Sequence, residues 1–498
     1  MKFFNGRGVR PHRMINDTHA QSPAIQFGTD GWRAVIADDF TFANVRTVAA
    51  AIAHYILHCE EPQRGLCIGY DTRFGSAHFA RAVAEVVASA GIPVCLADRI
   101  TPTPALSYAV RARGAAGGVM ITSSHNPSQW NGVKYKASYG GSGSPKIIAQ
   151  IESRLYRPLP ASNTSAPITL VDFCPPYVEA ITRFADVAAI AQSGHRFLID
   201  SLHGAGAGIL AGIFTQAGIA FAPIHSEPDP LFGGLHPEPI PPHTHAAQQA
   251  VVAEHCSAGW ITDGDADRIG AVDEHGHYVD SHKIFCILLR WLLQRKQWPG
   301  DVVRSLNVTR MADRICAQHG RALHQVGIGF KYICDLMLGG NILIGGEESG
   351  GIGIARHLPE RDGLLNSLLL ANVMADERKT LGELVADLQR EYGAHFYDRI
   401  DLHLPEAAKQ AAMAHLRAGV REFASMVVER METTDGVLLF LNNPAAAKLP
   451  NAAQTWLLFR ASGTEPLLRL YCESCTPESV QVLLHAAREF ALSFGENH

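Results

Sequence analysis

Two stretches of the chain carry residue types that can transfer or hold a charged group, and the first is a serine loop. Thr-Ser-Ser-His-Asn-Pro at 122–127 follows an apolar run at 118–121, which predicts a short buried strand. Pro127 ends regular structure, so the serines are expected at the carboxyl end of that strand, where open α/β sheets bind ligands. A serine held there by hydrogen bonds involving the following His and Asn can act as a nucleophile. The alternative is an ST-turn without chemistry.

The second stretch is acidic and suits a divalent cation. Asp-Gly-Asp-Ala-Asp-Arg at 263–268 follows a predicted strand at 259–262 and alternates carboxylates with small residues. Short acidic side chains on a tight loop can converge on one hard cation. Glu274 stands where a calcium loop needs its twelfth residue, but Arg268 occupies the sixth position, where such a loop needs glycine. Magnesium is therefore favoured over calcium.

Three further loops combine glycines with charged or hydroxyl side chains. Residues 27–33 place Arg33 beside two glycines, and Lys134 follows Ser124 by ten residues. Gly-Glu-Glu-Ser-Gly-Gly at 346–351 suits hydrogen bonding to a polyol, with a plain turn as the alternative. Residues 459–469 gather two arginines, a serine, a glycine and a threonine, which favours a phosphate cradle that includes Arg469.

The elements that must position these loops alternate between strand and helix signals. Apolar spacing predicts a helix at 41–58, then a strand at 66–70, a helix from a Ser76 cap to Ala90 and a strand at 92–97. Residues 157–168 have linker composition, and a second unit begins near 171. The remaining predicted strands are at 196–200 and 436–441, with others ending at 307–310, 326–331 and 345–351. This alternation predicts α/β domains with mostly parallel sheets.

Composition limits the class of protein. The chain has 498 residues, enough for three or four domains, with 47% apolar and 18% charged residues and a net charge of −5. We therefore expect neither nucleic acid nor membrane as a partner. The first residues lack a secretory signal, and ten scattered cysteines favour reduced thiols and a cytoplasmic location. The His- and Pro-rich tract at 225–245 is interpreted as a stiff loop rather than a zinc site.

Four of these motifs, in this order, resemble the α-D-phosphohexomutase family of phosphoglucomutases and phosphomannomutases. They are T-S-S-H-N-P at 122, D-G-D-A-D-R at 263, G-E-E-S-G-G at 346 and R-A-S-G-T-E-P at 460. The resemblance covers nearly all of the chain after residue 22. It implies a heart-shaped α/β protein of four domains, three similar with mixed sheets and a smaller C-terminal α+β domain, around a central active-site cleft.

The resemblance also sets domain boundaries. After a flexible extension at 1–22, the expected domains are 23–165 with the phosphoserine loop, 166–277 with the metal-binding loop, 278–392 with the sugar-binding loop and 393–498 with the phosphate-binding loop.

Each motif residue acquires an implied role. Ser124 would be the phosphoserine, oriented by His125, and its phosphate would share Mg²⁺ with Asp263, Asp265 and Asp267. Arg33 and Arg268 would contact the phosphoryl group in transfer. Lys134 and Lys331 are the two candidate general bases, because a lysine near other cations has a lowered pKa. The implied substrate-binding residues are Glu347, Ser349, Arg460, Ser462, Gly463 and Thr464.

The predicted reaction is the interconversion of glucose 1-phosphate and glucose 6-phosphate through phosphoserine and glucose 1,6-bisphosphate. Glucose is preferred because the motif reads G-E-E-S, whereas glucosamine mutases of the family usually carry Gln at the position of Glu348. Gly351 stands where some dual-specificity members carry His, which shifts the general-base role toward Lys331. The expected partners are hexose phosphates, and the expected assembly is a monomer or homodimer.

Several alternatives remain open at this point. They are phosphomannomutase or dual specificity, release of the bisphosphate as the product of a synthase, and a non-catalytic scaffold or binding relative. The last predicts decay of at least one motif, and none has decayed. A serine hydrolase would need a G-x-S-x-G elbow, which the flanks of Ser124 lack.

Overall fold

The computed structural model describes residues 25–28, 30–159, 165–449, 451–462 and 466–495. The predicted extension at 1–22 lies outside the described residues, as do Gly463 and Thr464 of the predicted phosphate loop. The described chain forms four successive sheets, three mixed and one antiparallel, each packed with helices. The predicted four-domain α/β architecture with mixed sheets is therefore confirmed.

The first domain is a six-stranded sheet in the order β1-β5-β4-β2-β3-β6. Strands β2, β3, β4 and β6 run parallel, and β1 and β5 are antiparallel to their neighbours. Its elements are β1 (Trp32–Val35), α1 (Phe42–Cys59), β2 (Leu66–Tyr70), α2 (Ser76–Ser89), β3 (Val94–Ala97), α3 (Thr103–Arg113), β4 (Gly117–Ile121), β5 (Trp130–Ala137), α4 (Pro145–Glu152) and β6 (Ile168–Val171).

Two details of this domain differ from the prediction. Ser76 is the first residue of α2 rather than its cap; Gly75 in a left-handed conformation precedes the helix, and the Ser76 hydroxyl donates to Asp71 instead. Strand β6 pairs in parallel with β3, so the first sheet extends past the boundary expected at 165. The linker-like composition before 168 hid this edge strand, half of whose residues are exposed.

The second domain has a five-stranded sheet in the order β11-β10-β9-β7-β8, with β7, β8 and β9 parallel. Its last strand ends two residues beyond the expected boundary at 277. Its elements are α5 (Cys174–Phe184), α6 (Val187–Gln192), β7 (Arg196–Asp200), α7 (Ile209–Ala217), β8 (Ala220–Ile224), α8 (His245–Ala253), β9 (Ala258–Thr262), β10 (Ile269–Asp273) and β11 (Tyr278–Val279).

The third domain has a four-stranded sheet in the order β13-β12-β14-β15, in which only β15 is antiparallel to its neighbour. Its elements are α9 (Ser281–Gln294), β12 (Asp301–Ser305), α10 (Met311–Gln318), β13 (Leu323–Val326), α11 (Phe330–Leu338), β14 (Ile342–Gly346), β15 (Ile352–Ile354), α12 (Gly363–Glu377) and α13 (Leu381–Tyr392).

The fourth domain is a six-stranded antiparallel sheet in the order β16-β21-β20-β19-β18-β17. Its elements are β16 (Phe396–His403), α14 (Glu406–Arg417), β17 (Glu422–Phe423), β18 (Met426–Glu432), β19 (Val437–Asn442), β20 (Thr455–Ala461), β21 (Leu467–Ser474) and α15 (Pro477–Leu492). Short 3₁₀ turns occur at Pro62–Arg64, Phe232–Gly234 and Ala446–Lys448.

Helix α12 joins the second and third domains through one continuous apolar core. Every residue from 363 to 374 is buried, and the helix packs against α6, α9 and β10. Its buried Asn372 exchanges two hydrogen bonds with the backbone of Asp186, at 2.8 and 3.0 Å. A helix buried on all sides holds the loops at its two neighbouring sheets in fixed relation.

Among the described helices, none is long and apolar enough to cross a membrane.

Candidate active site

The predicted chemical loops of the first three domains meet at the carboxyl ends of their strands. The serine loop follows β4, the acidic loop follows β9 and the Glu-Glu-Ser turn follows β14. The backbones of these loops approach one another closely at two glycines. A Cβ added to Gly264 would lie 2.4 Å from the carbonyl oxygen of Ser124, and one on Gly350 would lie 2.4 Å from that of Ile269. The glycines of these motifs therefore permit the domains to approach.

Ser124 lies at the centre of this junction. Its side chain is fully buried, and its Oγ donates to Asp263 Oδ2 at 2.8 Å, across 139 residues of sequence. Its backbone N–H donates to Thr122 Oγ1 at 2.9 Å, and its φ of +53° is in the left-handed region. The neighbouring Ser123 hydroxyl is buried without a hydrogen-bond partner among the described residues. The serine directed at the carboxylates is thus Ser124.

Arg73 holds the serine loop in this unusual backbone conformation. Its guanidinium donates to the carbonyl oxygens of Ser124, Asn126, Pro127 and Trp130 at 2.6–3.0 Å. The buried Asp71 fixes the arginine at 3.1 Å and also accepts from Thr122 Oγ1 at 2.6 Å. Four carbonyls on one fork fix the path of the loop. Neither Asp71 nor Arg73 belongs to a motif identified in the sequence; they only follow the strand predicted at 66–70.

The three aspartates of the acidic loop form a buried cluster that fits a divalent cation. One carboxylate oxygen of each lies within 4.8 Å of the other two, and all three side chains are fully buried. Oδ1 of Asp265 and Oδ1 of Asp267 have no hydrogen-bond partner among the described residues. Burial, and then repulsion from the other two aspartates, raises the pKa of Asp263 well above its ordinary value. Hard oxygen donors left without partners are the arrangement that Mg²⁺ or Ca²⁺ binds.

Lys134 lies within this cluster, and its charge state differs from the prediction. Its Nζ is 2.7 Å from Asp265, 3.0 Å from Asp267 and 3.0 Å from Asp30. Burial alone would lower the pKa of Lys134, but the three carboxylates outweigh it and raise that pKa. The expected lowering by neighbouring cations is therefore wrong for Lys134, because its neighbours are predominantly anions.

The two predicted arginines lie at the same junction. His125 does not take the role predicted for it, which was to orient Ser124. Arg33 donates to Asn126 Oδ1 at 2.6 Å, and the Arg268 backbone N–H donates to Asp263 Oδ1 at 3.0 Å. His125 Nδ1 has no hydrogen-bond partner among the described residues. Burial and then nearby arginines lower the pKa of His125 well below its ordinary value, so the ring is neutral. Thr122 and Asp263, rather than His125, orient Ser124.

The two glutamates of the predicted sugar loop have different partners. Glu347 is buried, and its Oε2 lies 3.6 Å from Arg361 Nη1. Glu348 accepts from Tyr397 Oη at 2.8 Å and from Arg399 Nη1 at 3.3 Å, so it joins the third domain to the fourth. Ser349 occupies the turn between β14 and β15 and is half-buried.

The predicted phosphate cradle belongs to the fourth domain. Arg460 and Arg469 stand directly opposite each other on β20 and β21. Arg460 Nε donates to Asp435 at 3.0 Å, and the carbonyl of Ser462 accepts from Lys409 Nζ at 3.0 Å. Like charges directly across a strand pair repel. Asp435 beside Arg460 and Asp401, 3.7 Å from Arg469 Nε, offset part of this repulsion, and an anion between the arginines would offset more of it.

Lys331, the second candidate base, is the second residue of α11. Its Nζ lies 5.5 Å from the ring centroid of Tyr332, and it forms no ion pair with a described carboxylate. The preceding residue, Phe330, packs its ring 5.5 Å from the guanidinium carbon of Arg361. Lys331 therefore directly follows Phe330, whose ring contacts Arg361.

Arg361 is a second residue of the site that the sequence analysis missed. It is buried in the turn before α12 and contacts Asp30, Asp267, Glu347 and Glu360. Its signal was the charged run Pro-Glu-Arg-Asp-Gly at 359–363, placed directly before a strongly apolar helix. A run of charges that opens a buried helix needs partners inside the protein, but sequence does not say which.

Models of known protein families match each of the four domains of the chain. Profiles of the four phosphoglucomutase/phosphomannomutase domains match in order: alpha/beta/alpha domain I at residues 24–158, domain II at 175–276, domain III at 280–392 and the C-terminal domain at 400–490.

Individual relatives carry different substrate names. The chain is 30% identical to a phosphoglucosamine mutase of Limosilactobacillus reuteri, covering 91% of this chain and 95% of that one. It is 28% identical to a phosphoglucomutase/phosphomannomutase of Thermococcus kodakarensis, covering 92% and 96%. A crystal structure of a Thermus thermophilus protein, provisionally described as a phosphomannomutase, matches with a TM-score of 0.81 and 36% identity over 94% and 99% of the two chains.

These matches agree with the order of the four motifs and with the meeting of three of them around Ser124. The members of this family are isomerases that move a phosphoryl group within a sugar phosphate. The chain belongs to the phosphoglucomutase/phosphomannomutase family and is a phosphohexomutase.

Proposed function

We propose that the protein interconverts glucose 1-phosphate and glucose 6-phosphate, with Ser124 as the residue that carries the transferred phosphoryl group. The observation that carries this proposal is the 2.8 Å hydrogen bond from Ser124 Oγ to Asp263 Oδ2. It brings a strained, buried serine to the edge of an acidic cluster suited to a cation. Phosphoryl transfer requires positioning and charge neutralisation more than any further covalent chemistry from the protein.

The residues divide the work as follows. Asp263, Asp265 and Asp267 would hold Mg²⁺, which when bound supplies positive charge to the equatorial oxygens of the transferring group. Arg33 and Arg268 add positive charge from the protein. In one direction the free sugar hydroxyl attacks the phosphorus of the phosphoserine and loses its proton to a base. The bond from phosphorus to Ser124 Oγ breaks, and Oγ gains a proton as it leaves, so the proton lost by the sugar is balanced by the one that the serine hydroxyl takes up.

The structure favours Lys331 over Lys134 as the proposed base. Lys134 is held protonated by Asp265, Asp267 and Asp30, which suits charge compensation rather than proton uptake. Lys331 forms no ion pair among the described residues and adjoins Phe330 at the charged centre. A Lys331→Met variant removes the group that would accept the proton of the sugar hydroxyl, so kcat at neutral pH is expected to fall.

The glucose 1,6-bisphosphate formed in the first half must reorient before it returns its other phosphate to Ser124. The phosphate at either end of the sugar is then bound by Arg460 and Arg469 of the fourth domain, together with Ser462. The neighbouring residues Gly463 and Thr464 are proposed members of the same cradle.

A panel of substrates tests the proposal. Glucose, mannose and glucosamine 1-phosphates are assayed in parallel with Mg²⁺, with and without glucose 1,6-bisphosphate. We expect glucose 1-phosphate to have the highest kcat/KM, within about 100-fold of mannose 1-phosphate, because both sugars share the 3- and 4-hydroxyls. A preference for mannose 1-phosphate would make the enzyme a phosphomannomutase, and accumulation of bisphosphate would make it a synthase.

Glucosamine 1-phosphate is a second candidate substrate because of the phosphoglucosamine mutase relative at 30% identity. Against it, glucosamine mutases of the family usually carry Gln at the position of Glu348, and Glu348 is engaged here by Tyr397 and Arg399 rather than left to meet the sugar. A kcat/KM for glucosamine 1-phosphate above that for glucose 1-phosphate would overturn the glucose assignment.

A further inference from the structure

Arg361 is the cation that links three domains at the active site. Its Nη2 lies 2.8 Å from Asp267 of the second domain and also pairs with Asp30 of the first. Its Nη1 lies 3.6 Å from Glu347 and its Nε lies 3.3 Å from Glu360, both in the third domain. One guanidinium thus connects Asp267, one of the three clustered aspartates, with Glu347, the proposed sugar-binding carboxylate.

The path of the Arg361 side chain depends on a glycine in the sugar loop. A Cβ added to Gly351 would lie 2.3 Å from Arg361 Cδ and 3.0 Å from Cγ. On the other side, the ring of Phe330 lies 5.5 Å from the guanidinium carbon. The aliphatic stem therefore lies against bare backbone at 351, and any larger residue there would push the guanidinium off its carboxylates.

Glu347 depends on this arginine for its position. Among the described residues, Arg361 is the only cation within 4 Å of the Glu347 carboxylate, whose residue is 7% exposed. The backbone of Glu347 is fixed by its N–H donating to the Gly351 carbonyl at 3.0 Å. The loop thus fixes the main chain, and Arg361 fixes the direction of the carboxylate.

We propose that Arg361 is a positioning residue for sugar recognition, which orients Glu347 toward the hexose and couples the sugar loop to the carboxylates around Asp267. The proposal rests on the proposed function, because it assigns Glu347 to the sugar. It makes Gly351 part of the same device, since the glycine leaves room for the arginine.

Kinetics of paired variants test the orientation. Arg361→Lys keeps the charge and loses the fork, and we expect its KM for glucose 1-phosphate to rise tenfold or more, with a smaller change in kcat. Glu347→Gln should produce a similar rise, and the double variant should be no worse than either single one. Arg356→Met is the matched control, because Arg356 stacks on Trp298 at 4.6 Å and forms no ion pair among the described residues; its KM should not change.

Gly351→Ala perturbs the same contact, between position 351 and the Arg361 side chain, from the side of the glycine. The added methyl group should displace Arg361 and raise KM as Arg361→Lys does. In an Arg361→Ala background, which removes Cγ and Cδ, the same Gly351→Ala change should have no further effect.

Binding of Mn²⁺ to the protein without substrate, followed by electron paramagnetic resonance, separates positioning from general damage. Arg361→Met removes a positive charge next to Asp267, so Mn²⁺ should bind several-fold more tightly while KM becomes worse. General damage to the site would weaken both.

The proposal is overturned if KM stays within twofold of wild type in Arg361→Lys, if the Arg361 and Glu347 effects multiply, or if Mn²⁺ binding weakens. Should the wild-type protein turn over no hexose phosphate, the proposed function fails separately. Calorimetric binding of glucose 1-phosphate then replaces KM in the same cycle.

Discussion

At the scale of single residues, the site is a problem of charge. Ser124 and Asp263 are 139 residues apart in sequence, yet their side chains share a 2.8 Å hydrogen bond inside the protein. Around them lie Asp265 and Asp267, with Lys134 and Arg361 as the nearest counter-charges. Buried carboxylates this close together cannot all ionise without cations, which is why the cluster suits a metal ion.

Binding of a divalent cation should therefore depend on pH. Burial and the neighbouring aspartates raise the pKa of Asp263, so its carboxyl takes up a proton more readily than an exposed aspartate does. A cation must displace that proton, so affinity should increase with pH and binding should release protons. Calorimetry of Mn²⁺ binding between about pH 5.5 and 7.5, in two buffers of different ionisation enthalpy, measures both quantities. Affinity that is constant over this range, with no proton released, would contradict the expectation.

At the scale of elements, the site consists of loops held at strand ends by groups from other elements. Arg73, three residues after β2, binds three carbonyls of the loop after β4 and the carbonyl of Trp130 at the start of β5. Its guanidinium also lies 4.8 Å from the ring centroid of Phe232 in the second domain. The nucleophile loop therefore depends on an arginine of one neighbouring strand and on packing against another domain.

Arg73→Met should loosen this loop. Its four hydrogen bonds to backbone carbonyls disappear, and Ser124 is no longer held at positive φ, so we expect kcat to fall at least about 100-fold because small misplacements of a reacting group are costly. KM should change less, because the described contacts of Arg73 are to Asp71, the serine-loop carbonyls and Phe232 rather than to the sugar loop. Deuterium uptake of peptides covering 122–131 should increase. Arg64→Met is the control, since Arg64 also donates to two carbonyls, those of Gly114 and Ala115, but away from the site. Equal effects of both variants would show that the Arg73 contribution is only structural.

Gly264→Ala tests the contact between the serine loop and the acidic loop. The new methyl group would lie 2.4 Å from the Ser124 carbonyl oxygen, so the two loops must separate and activity should fall by at least tenfold. Gly212→Ala is the matched control, because no atom lies within 4 Å of its Cβ position within helix α7. It should keep full activity and stabilise the protein by about 0.5–1 kcal/mol in thermal unfolding. Full activity of Gly264→Ala would refute the close packing.

The elements were predictable where local pattern determines them. The helix expected at 41–58 is observed at Phe42–Cys59, and the strand expected at 66–70 is Leu66–Tyr70, because apolar spacing and turn residues mark both. Edge strand β6 was missed because half of its side chains face solvent and carry no periodic signal. The motif loops were identified from residue types, whereas Arg73 and Arg361 were not, because their partners lie on other elements, as far as 331 residues away.

At the scale of the whole molecule, the fourth domain meets the third through a small apolar cluster that includes Leu306, Phe440 and Trp456, and polar contacts to the second and third domains add to it. Arg399 on β16 reaches Glu238 of the second domain at 2.9 Å and Glu348 of the third at 3.3 Å. Asp435 of the fourth domain accepts from the backbone N–H of Ile328 in the third at 2.8 Å. The second and third domains, in contrast, share an apolar core around α12. A small apolar cluster with polar contacts around it permits a domain to move more readily than the larger core around α12 does.

Arg399→Met should loosen the fourth domain and with it the phosphate cradle. Loss of two interdomain ion pairs should raise KM for both hexose monophosphates by about tenfold, equivalent to about 1.4 kcal/mol. Deuterium uptake at 396–403 should increase, whereas uptake in α12 should not. Arg430→Met is the control, because Arg430 pairs with Glu432 inside the fourth domain. An unchanged KM would mean that Arg399 does not set the position of the cradle.

Peptide mapping of the phosphorylated protein determines whether Ser124 carries the phosphoryl group. The dephosphorylated protein is incubated with glucose 1,6-bisphosphate and Mg²⁺, digested and examined by mass spectrometry. We predict one phosphate on Ser124, none in Ser124→Ala, and a loss of glucose 1-phosphate turnover of at least about 1,000-fold in that variant. Phosphate on Ser123, or wild-type turnover in Ser124→Ala, would show that Ser124 is not the phosphoryl carrier.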